Sequence, residues 1–286
     1  MADAGFTQER ARAVVEAAGY PAAELLSFGE NAVFAAGRLV IKVGRTDLLD
    51  RARREVRTAD WLAKHDVPAV RSAESEVGLI DGHPVSYWQR LPESLRPAEP
   101  ADVAPLLLLV HALPEPDFGL PARDLLGGVE RWLRLAGDAI DPADAAFLRA
   151  RRDDYAVASA QLVPHLERGP IHGDALPRNV HIGPDGPVLV DLETFSSDLR
   201  EHDLVVQTLS RDRYGVDPAA YDAFTTAYGW DVATWPGSTV LRAARETASC
   251  AWVAQFAPAN PAARTEFRRR VASLRADDPT VRWYSF

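Results

Sequence analysis

The sequence predicts an α+β protein with a strand-rich first part and a mostly helical second part. Short β-branched runs separated by turn residues fill residues 24–91, helical patterns dominate from about residue 101, and one hairpin near residue 180 interrupts the helices. The 286 residues, 47% of them hydrophobic, are enough for a sizeable core. We therefore expect two domains, residues 1–91 and residues 92–286.

The first elements are a short helix and three strands. Residues 7–18 have the apolar spacing of a helix, with Thr7 as its N-cap. Residues 24–43 contain three apolar runs separated by Gly29-Glu30-Asn31 and Ala36-Gly37, which predicts three strands joined by two turns. Glycine lets a backbone approach a phosphate closely, so the first turn could bind one.

Residues 46–65 predict a helix that begins at a Thr46 cap and carries acidic residues in its first turn. Glu55 lies in the middle of this helix, among arginines. It could form a surface ion pair with Arg51, or it could pair with Lys42 at the end of the third strand. A lysine in an apolar strand is costly to bury unless its ammonium finds a partner.

A second hairpin completes a five-stranded antiparallel sheet in the N-terminal part. Its strands are predicted at 74–80 and 84–91, joined by Asp81-Gly82-His83. Residues 92–101 are proline-rich, which predicts a loop. The helices expected after it lie at 101–113, 126–137, 141–167, 199–213, 218–228, 237–257 and 261–276.

The candidate functional residues are concentrated in residues 171–193, which read IHGDALPRNVHIGPDGPVLVDLE. Two apolar runs, 179–182 and 187–190, flank a Gly-Pro-Asp-Gly turn, so we expect a hairpin. Asp174 precedes this hairpin and Asp191 follows it. A carboxylate, an amide and a second carboxylate are therefore predicted at the ends of one hairpin.

The spacing of these residues is that of a kinase catalytic loop, H-x-D-x-x-x-x-N, followed by a metal-binding aspartate. Asp174 is the candidate base, which would orient a substrate hydroxyl and accept its proton. Asn179 and Asp191 are the candidate ligands of Mg²⁺, a cation that prefers oxygen donors.

Composition limits the classes of function. The net charge of −9 argues against a general nucleic-acid binder, and the acidity is concentrated in residues 92–286, which hold −8 of it. That charge could attract a cationic ligand or simply serve solubility. No apolar run is long enough for a membrane span, no signal peptide is visible, and the single cysteine allows no internal disulfide, so we expect a cytoplasmic protein.

Only two of the 32 basic residues are lysines, Lys42 and Lys64. The arginine bias is typical of a GC-rich genome, so a position that stays lysine is informative. It indicates a place where a compact ammonium is needed rather than a guanidinium fork.

The run at 171–193 resembles the aminoglycoside phosphotransferase family, whose members carry an HGDxxxxN loop and an aspartate that begins a D-x-E. The resemblance extends over nearly the whole chain, in order, through FGENAVF, VIKV, REVRTADWLAKHDVP, VSYWQRLPES, VHALPEPDF and LREHDLV. It implies a two-lobed, protein-kinase-like fold that binds ATP between the lobes, and a phosphoryl transfer that uses ATP and Mg²⁺.

The resemblance also implies roles for particular residues. Asp174 would be the base, Asn179 and Asp191 the magnesium ligands, and Lys42 would contact the α- and β-phosphates beside Glu55. The other implied residues form the phosphate loop, the adenine-binding backbone and the supports of the site: Gly29, Glu30 and Asn31; Gln89, Arg90 and Leu91; His172, Glu193 and Asp203.

Gly173 stands where protein kinases have the arginine that can pair with an activation-loop phosphate. We therefore expect a small-molecule kinase that needs no activating phosphorylation. The expected acceptor is a hydroxyl of an aminoglycoside or another antibiotic, a compound that could be cationic, and its phosphorylation would give antibiotic resistance. The alternative acceptors are a sugar, choline or homoserine. The alternative to an enzyme is a non-catalytic pseudokinase that only binds nucleotide. We expect no nucleic-acid, membrane or obligate protein partner.

Overall fold

A computed structural model describes residues 6–284 of the chain. It divides into two compact units. The first contains the described residues up to Ala98 together with Pro177–Phe195, and the second contains Glu99–Leu176 and the described residues from Ser196 onward. The hairpin predicted near residue 180 is therefore part of the first unit, although helices surround it in the sequence. The division of the chain at residue 92 stays our proposal for the domain boundary.

The first unit contains the predicted five-stranded antiparallel sheet, which is confirmed. Its strands lie in the order β1-β2-β3-β5-β4: β1 Glu24–Phe28, β2 Ala32–Ala36, β3 Leu39–Val43, β4 Gly78–Ile80 and β5 His83–Gln89. Ile41 and Val43 are fully buried beside helix α1 (Gln8–Ala17) in one apolar cluster. Because side chains alternate along a strand, Lys42 lies on the opposite face of β3.

Helix α2 follows β3 and spans Leu49–Lys64. Its buried side includes Glu55, Val56, Ala59 and Leu62, which recur at helical spacing. The predicted start at Thr46 was wrong, because the N–H of Leu48 closes a turn onto Arg45 O at 3.0 Å before the helix begins.

The second unit is mainly helical, as predicted. Its helices are α3 Pro100–His111, α4 Val129–Ala136, α5 Pro142–Ala160, α6 Glu201–Tyr214, α7 Pro218–Tyr228, α8 Ser238–Ala254 and α9 Pro261–Arg275. The predicted helix 141–167 ends earlier, at Ala160. Pro164 lies just beyond that end; its missing N–H and its ring prevent the helix from continuing.

Two short strand pairs lie in and around residues 171–193. Strands β6 (Gly169–Ile171) and β9 (Ser196–Asp198) pair antiparallel in the second unit. Strands β7 (Val180–Gly183) and β8 (Gly186–Leu189) form the predicted hairpin in the first unit. Backbone hydrogen bonds from Leu189 N to Pro68 O (2.9 Å) and from Val70 N to Leu189 O (2.8 Å) hold β8 to the segment after α2.

Buried ion pairs hold the end of the chain in the second unit. Arg213 Nε lies 2.6 Å from Glu246 and its Nη1 lies 2.7 Å from Asp278 O, while Arg270 Nε lies 2.9 Å from Glu266. Removing one partner of such a pair costs about 3–5 kcal/mol, because the other charge stays buried alone. None of the helices within residues 6–284 has the length and apolar character needed to cross a membrane.

Candidate active site

Lys42 and Glu55 form the centre of the site in the first unit. The Lys42 Nζ lies 2.9 Å from both carboxylate oxygens of Glu55. Glu55 is only 5% exposed, so it does not form the surface pair with Arg51 that the sequence also allowed. Burial would lower the pKa of Lys42, but Glu55 and Glu193 outweigh it and raise that pKa above its ordinary value. Lys42 is therefore a fixed positive charge at the end of a central strand.

Glu193 links Lys42 to the turn between β1 and β2. Its Oε2 accepts from Lys42 Nζ at 3.1 Å and from Asn31 Nδ2 at 2.9 Å, and its Oε1 lies 2.7 Å from Arg51 Nη2. Arg51 Nη1 lies in turn 3.0 Å from Glu30 Oε2. Although Glu193 is largely buried, the Lys42 and Arg51 cations hold its pKa below the ordinary range.

The structure thus brings together five residues that the sequence singled out, Glu30, Asn31, Lys42, Glu55 and Glu193. It adds Arg51, which the sequence analysis placed only as a surface partner of Glu55. A signal for it was present, since Arg51 lies four residues before Glu55 and so on the same face of α2. The cavity that these side chains enclose measures about 10 Å³, which is room for one water molecule.

The other predicted nucleotide-binding positions lie around this sheet. The N–H of Gly29 donates to Asn31 O at 2.9 Å and closes the turn, and a Cβ added at Gly29 would meet nothing within 4 Å. The N–H groups of Gln89 and Arg90 donate to Arg71 O and Arg38 O, each at 2.9 Å. An adenine ring would therefore have to use the carbonyl groups of this segment or the N–H of Leu91.

Asn179 and Asp191 lie at the same end of the β7–β8 hairpin, because Val190 N donates to Asn179 O at 3.0 Å. Asn179 is buried, whereas Asp191 is exposed and has φ 59° and ψ 61°. A non-glycine residue in this left-handed region stores strain of about 1–3 kcal/mol, and such residues cluster at functional sites.

These two side chains offer oxygen donors of the kind that Mg²⁺ binds. Among residues 6–284 there is no group of three or more His, Cys, Asp or Glu side chains that could hold a metal ion. Magnesium usually takes only one or two carboxylates and completes its shell with water and substrate phosphates. The amide and the carboxylate therefore fit a magnesium ion that arrives with a nucleotide.

In the second unit, Asp203 on α6 holds the backbone of the loop that carries Asp174. The Oδ2 of Asp203 accepts from His172 N and its Oδ1 from Gly173 N, each at 2.7 Å. Gly173 has φ +83°, which glycine adopts without strain. Burial opposes ionisation of Asp203, but hydrogen bonds from His111 and from the His172 backbone hold its pKa below the ordinary value.

Two buried histidines complete the support of this loop. The Nδ1 of His172 accepts from Asp174 N at 3.3 Å, and the side chain of His172 is fully buried. His111 lies with Nε2 3.2 Å from Asp203 Oδ2 and Nδ1 2.8 Å from Tyr228 Oη. Asp174 itself is ion-paired with Arg245 of α8, a residue that no sequence pattern indicated.

His202, beside Asp203, provides a test of this charge arrangement. Its pKa is lowered to about 4, first by burial and then by Arg123 and Arg245, although Asp198 acts in the opposite sense. The pKa of His202 is lower in the folded protein than in the unfolded chain. Its contribution to the free energy of unfolding is therefore complete above about pH 6.5 and is lost as the pH falls towards 4.

We expect the wild-type protein to lose up to about 3 kcal/mol of unfolding free energy relative to His202→Gln between pH 7 and pH 4. Urea unfolding of both proteins across this range measures the difference. The exposed His65→Gln variant is the control and should follow the wild type. If the free energy of unfolding changed with pH in the same way for the wild type and for His202→Gln, the assignment of a neutral, buried imidazole would be contradicted.

The solved structures that share this fold include the following three. Amicoumacin kinase hAmiN, in complex with AMP-PNP, Ca²⁺ and Ami, has a TM-score of 0.72 and 12% identity, covering 96% of this chain and 95% of its own. A choline/ethanolamine kinase family protein from Mesorhizobium loti has a TM-score of 0.63 and 20% identity, covering 94% and 93%. Aminoglycoside phosphotransferase APH(3'')-Id from Streptomyces rimosus has a TM-score of 0.57 and 20% identity, covering 81% and 96%.

These likenesses confirm the predicted kinase-like fold. At such identities they show the fold alone. No curated protein matched the sequence. The family model described as "Phosphotransferase enzyme family" matches residues 29–243, a span that includes Lys42, Glu55, Asp174 and Asp191. Because this match covers most of the sequence, the chain belongs to the phosphotransferase enzyme family.

Proposed function

We propose that this protein transfers the γ-phosphoryl group of ATP to a hydroxyl group of a small molecule. The observation that carries the proposal is the buried pair of Lys42 with both oxygens of Glu55. A strand lysine fixed by a helix glutamate is the arrangement that kinases use to hold nucleotide phosphates. Arg51 would add a second cation to the phosphate-binding group.

The proposed role of Asp174 is to accept the proton of the acceptor hydroxyl as its oxygen bonds to the γ-phosphorus and the bond to the ADP oxygen breaks. Catalysis in such reactions comes mainly from positioning and charge neutralisation. The hydrogen bonds from His172 N and Gly173 N to Asp203 support this role, because they fix the loop backbone before the acceptor binds.

Asn179 and Asp191 are the proposed magnesium-binding residues. When bound, the metal would neutralise negative charge on the phosphate oxygens. The chain's own contribution is to fix the two oxygen donors at one end of a hairpin, Asn179 by burial and Asp191 by its left-handed backbone. Glu193, two residues beyond Asp191, is engaged by Lys42, Asn31 and Arg51 and so has the supporting role.

The acceptor is the part of the function that the family leaves open. An aminoglycoside or another antibiotic is supported by the sequence resemblance and by the acidic charge of residues 92–286, and it would give a role in antibiotic resistance. A sugar, choline or homoserine remain the alternatives with the same chemistry. We place the protein in the cytoplasm, where ATP is available.

An acceptor screen tests this proposal. The protein is incubated with Mg²⁺ and ATP and a panel of aminoglycosides, other antibiotics, sugars, choline and homoserine, and mass spectrometry detects phosphorylated products. We expect one class to give a phosphorylated hydroxyl together with stoichiometric ADP. Magnesium-dependent ATP binding without transfer to any compound would favour the pseudokinase alternative, and absence of nucleotide binding by calorimetry would contradict the role of Lys42.

A further inference from the structure

Helix α6 presents two polar side chains to the loop that carries Asp174. Asp203 and Gln207 lie four residues apart and therefore on the same face of the helix. Both are buried, with 0% and 1% of their surface exposed. Asp203 accepts from the two backbone N–H groups just before Asp174, and Gln207 Nε2 donates to Ala175 O, just after it, at 2.7 Å. One helix thus binds the loop backbone on both sides of Asp174.

Two further hydrogen bonds engage the backbone of this loop. Leu176 N donates to Asp174 O at 2.8 Å, and Arg245 Nη1 donates to Gly173 O at 3.4 Å. The first closes a turn within the loop itself, and the second is long for a hydrogen bond between nitrogen and oxygen. The bond from Gln207 is shorter than that from Arg245 and comes from a buried helix, so it ties the carbonyl after Asp174 more firmly to the second unit.

The amide of Gln207 has one bonded and one unbonded end. Because a carbonyl oxygen only accepts, the atom that faces Ala175 O is the donor Nε2. Among residues 6–284, no donor meets the buried Oε1. An unsatisfied buried acceptor destabilises a protein, and an apolar residue such as Val206 fills a buried position on α6 without that loss. An amide at this position therefore serves the loop rather than the stability of the helix.

We propose that Gln207 is a positioning residue for phosphoryl transfer, which holds Asp174 in place for the acceptor hydroxyl by fixing the carbonyl of Ala175. The inference rests on the proposed role of Asp174 as the base. A base has to lie within hydrogen-bond reach of the proton that it takes. A displacement of about 1 Å can lower the rate by roughly 10²-fold, so a loop anchored on only one side of Asp174 is a poorer catalyst.

Gln207→Met tests this role, because methionine keeps the length of the side chain and removes its N–H donor. We expect kcat with the acceptor found by screening to fall about 10- to 100-fold. The KM for ATP should stay unchanged, because Lys42 and Glu55 lie in the other compact unit. Steady-state kinetics measure both quantities.

Thr208→Val is the matched control. Thr208 is the next residue of α6, is 3% exposed and donates to Val205 O of its own helix at 2.8 Å. Valine has nearly the shape of threonine, so this variant loses one buried hydrogen bond and leaves the bond from Gln207 to the loop in place. It should keep wild-type kcat even if its Tm falls as far as that of Gln207→Met. Thermal denaturation of both variants measures this loss of stability.

Hydrogen exchange of backbone amides, followed by NMR, tests the anchoring of the loop without any acceptor. The amide of Leu176 closes the turn onto Asp174 O, and we expect it to exchange about 5- to 10-fold faster in Gln207→Met, as the loss of one hydrogen bond allows. The amides of His172 and Gly173 should stay protected, because Asp203 still accepts from them. Thr208→Val should leave the exchange of all three amides unchanged.

The outcomes separate this inference from the transferase proposal. A lower kcat with faster exchange in Gln207→Met alone supports both. Undiminished kcat, unchanged exchange, or equal losses of kcat in Gln207→Met and Thr208→Val would overturn the positioning role and leave the transferase intact. If the wild type phosphorylates no compound, the transferase proposal fails and the positioning role of Gln207 in catalysis fails with it, although faster exchange would still show that Gln207 holds the loop.

Discussion

Asp174→Asn is expected to lower kcat for phosphoryl transfer by about 10²- to 10⁴-fold, the usual contribution of a positioned base. The amide keeps the shape of the side chain and can still accept from Arg245, but it cannot take the acceptor proton. Nucleotide affinity should stay unchanged, because Lys42 and Glu55 lie in the other compact unit. Steady-state kinetics with the acceptor found by screening, together with calorimetry of ATP, measure the two quantities.

A matched control is Asp222→Asn, which changes an exposed aspartate of α7 in the same unit as Asp174. This variant should keep wild-type kcat. Full turnover by Asp174→Asn would show that another group takes the proton, and a parallel loss of ATP affinity would indicate a folding defect rather than a chemical one. Thermal denaturation of both variants distinguishes these cases.

Lys42→Met is the second substitution with a large expected effect. Removing one preorganised charge from a phosphate-binding site costs about 10²- to 10³-fold in rate, so kcat/KM for ATP should fall by that factor. The isolated carboxylate of Glu55 would then be buried without its partner, and stability should fall as well. Lys64→Met at the exposed end of α2 removes the only other lysine and should change neither quantity.

The pairing of Lys42 with Glu55 can be isolated by a double-mutant cycle. Glu55→Gln alone should lower kcat/KM, but in the Lys42→Met background it should have little further effect, because its partner is gone. Stability should partly recover in the double variant, since no unpaired charge is then buried. If the losses of kcat/KM in the two single variants simply added in the double variant, Lys42 and Glu55 would act independently, which would contradict the proposed pairing.

Local sequence patterns predicted most of the fold. The three strands at 24–43, the inserted helix and the hairpin near residue 180 each depend on neighbouring residues, so their turns and apolar periods are readable along the chain. The predicted helix boundaries were wrong where the end of a helix depends on a single hydrogen bond or on a single proline. Leu48 closed a turn ahead of α2, and Pro164 stopped α5 before its predicted end.

The candidate site was predictable only in part. The spacing of His172, Asp174 and Asn179 is local and was visible in the sequence. The partnership of Asp174 with Arg245 joins residues 71 positions apart, and that of Asn31 with Glu193 joins residues 162 apart. Such contacts are set by packing, and no periodicity in the chain encodes them.

The network around Glu193 has a thermodynamic consequence for ligand binding. Two cations, Lys42 and Arg51, are surrounded by three carboxylates, those of Glu30, Glu55 and Glu193. A polyphosphate anion entering this group meets an excess of negative charge, and a divalent cation bound with it would relieve the repulsion. Metal and nucleotide should therefore bind cooperatively, and by linkage each must raise the affinity of the other by the same factor.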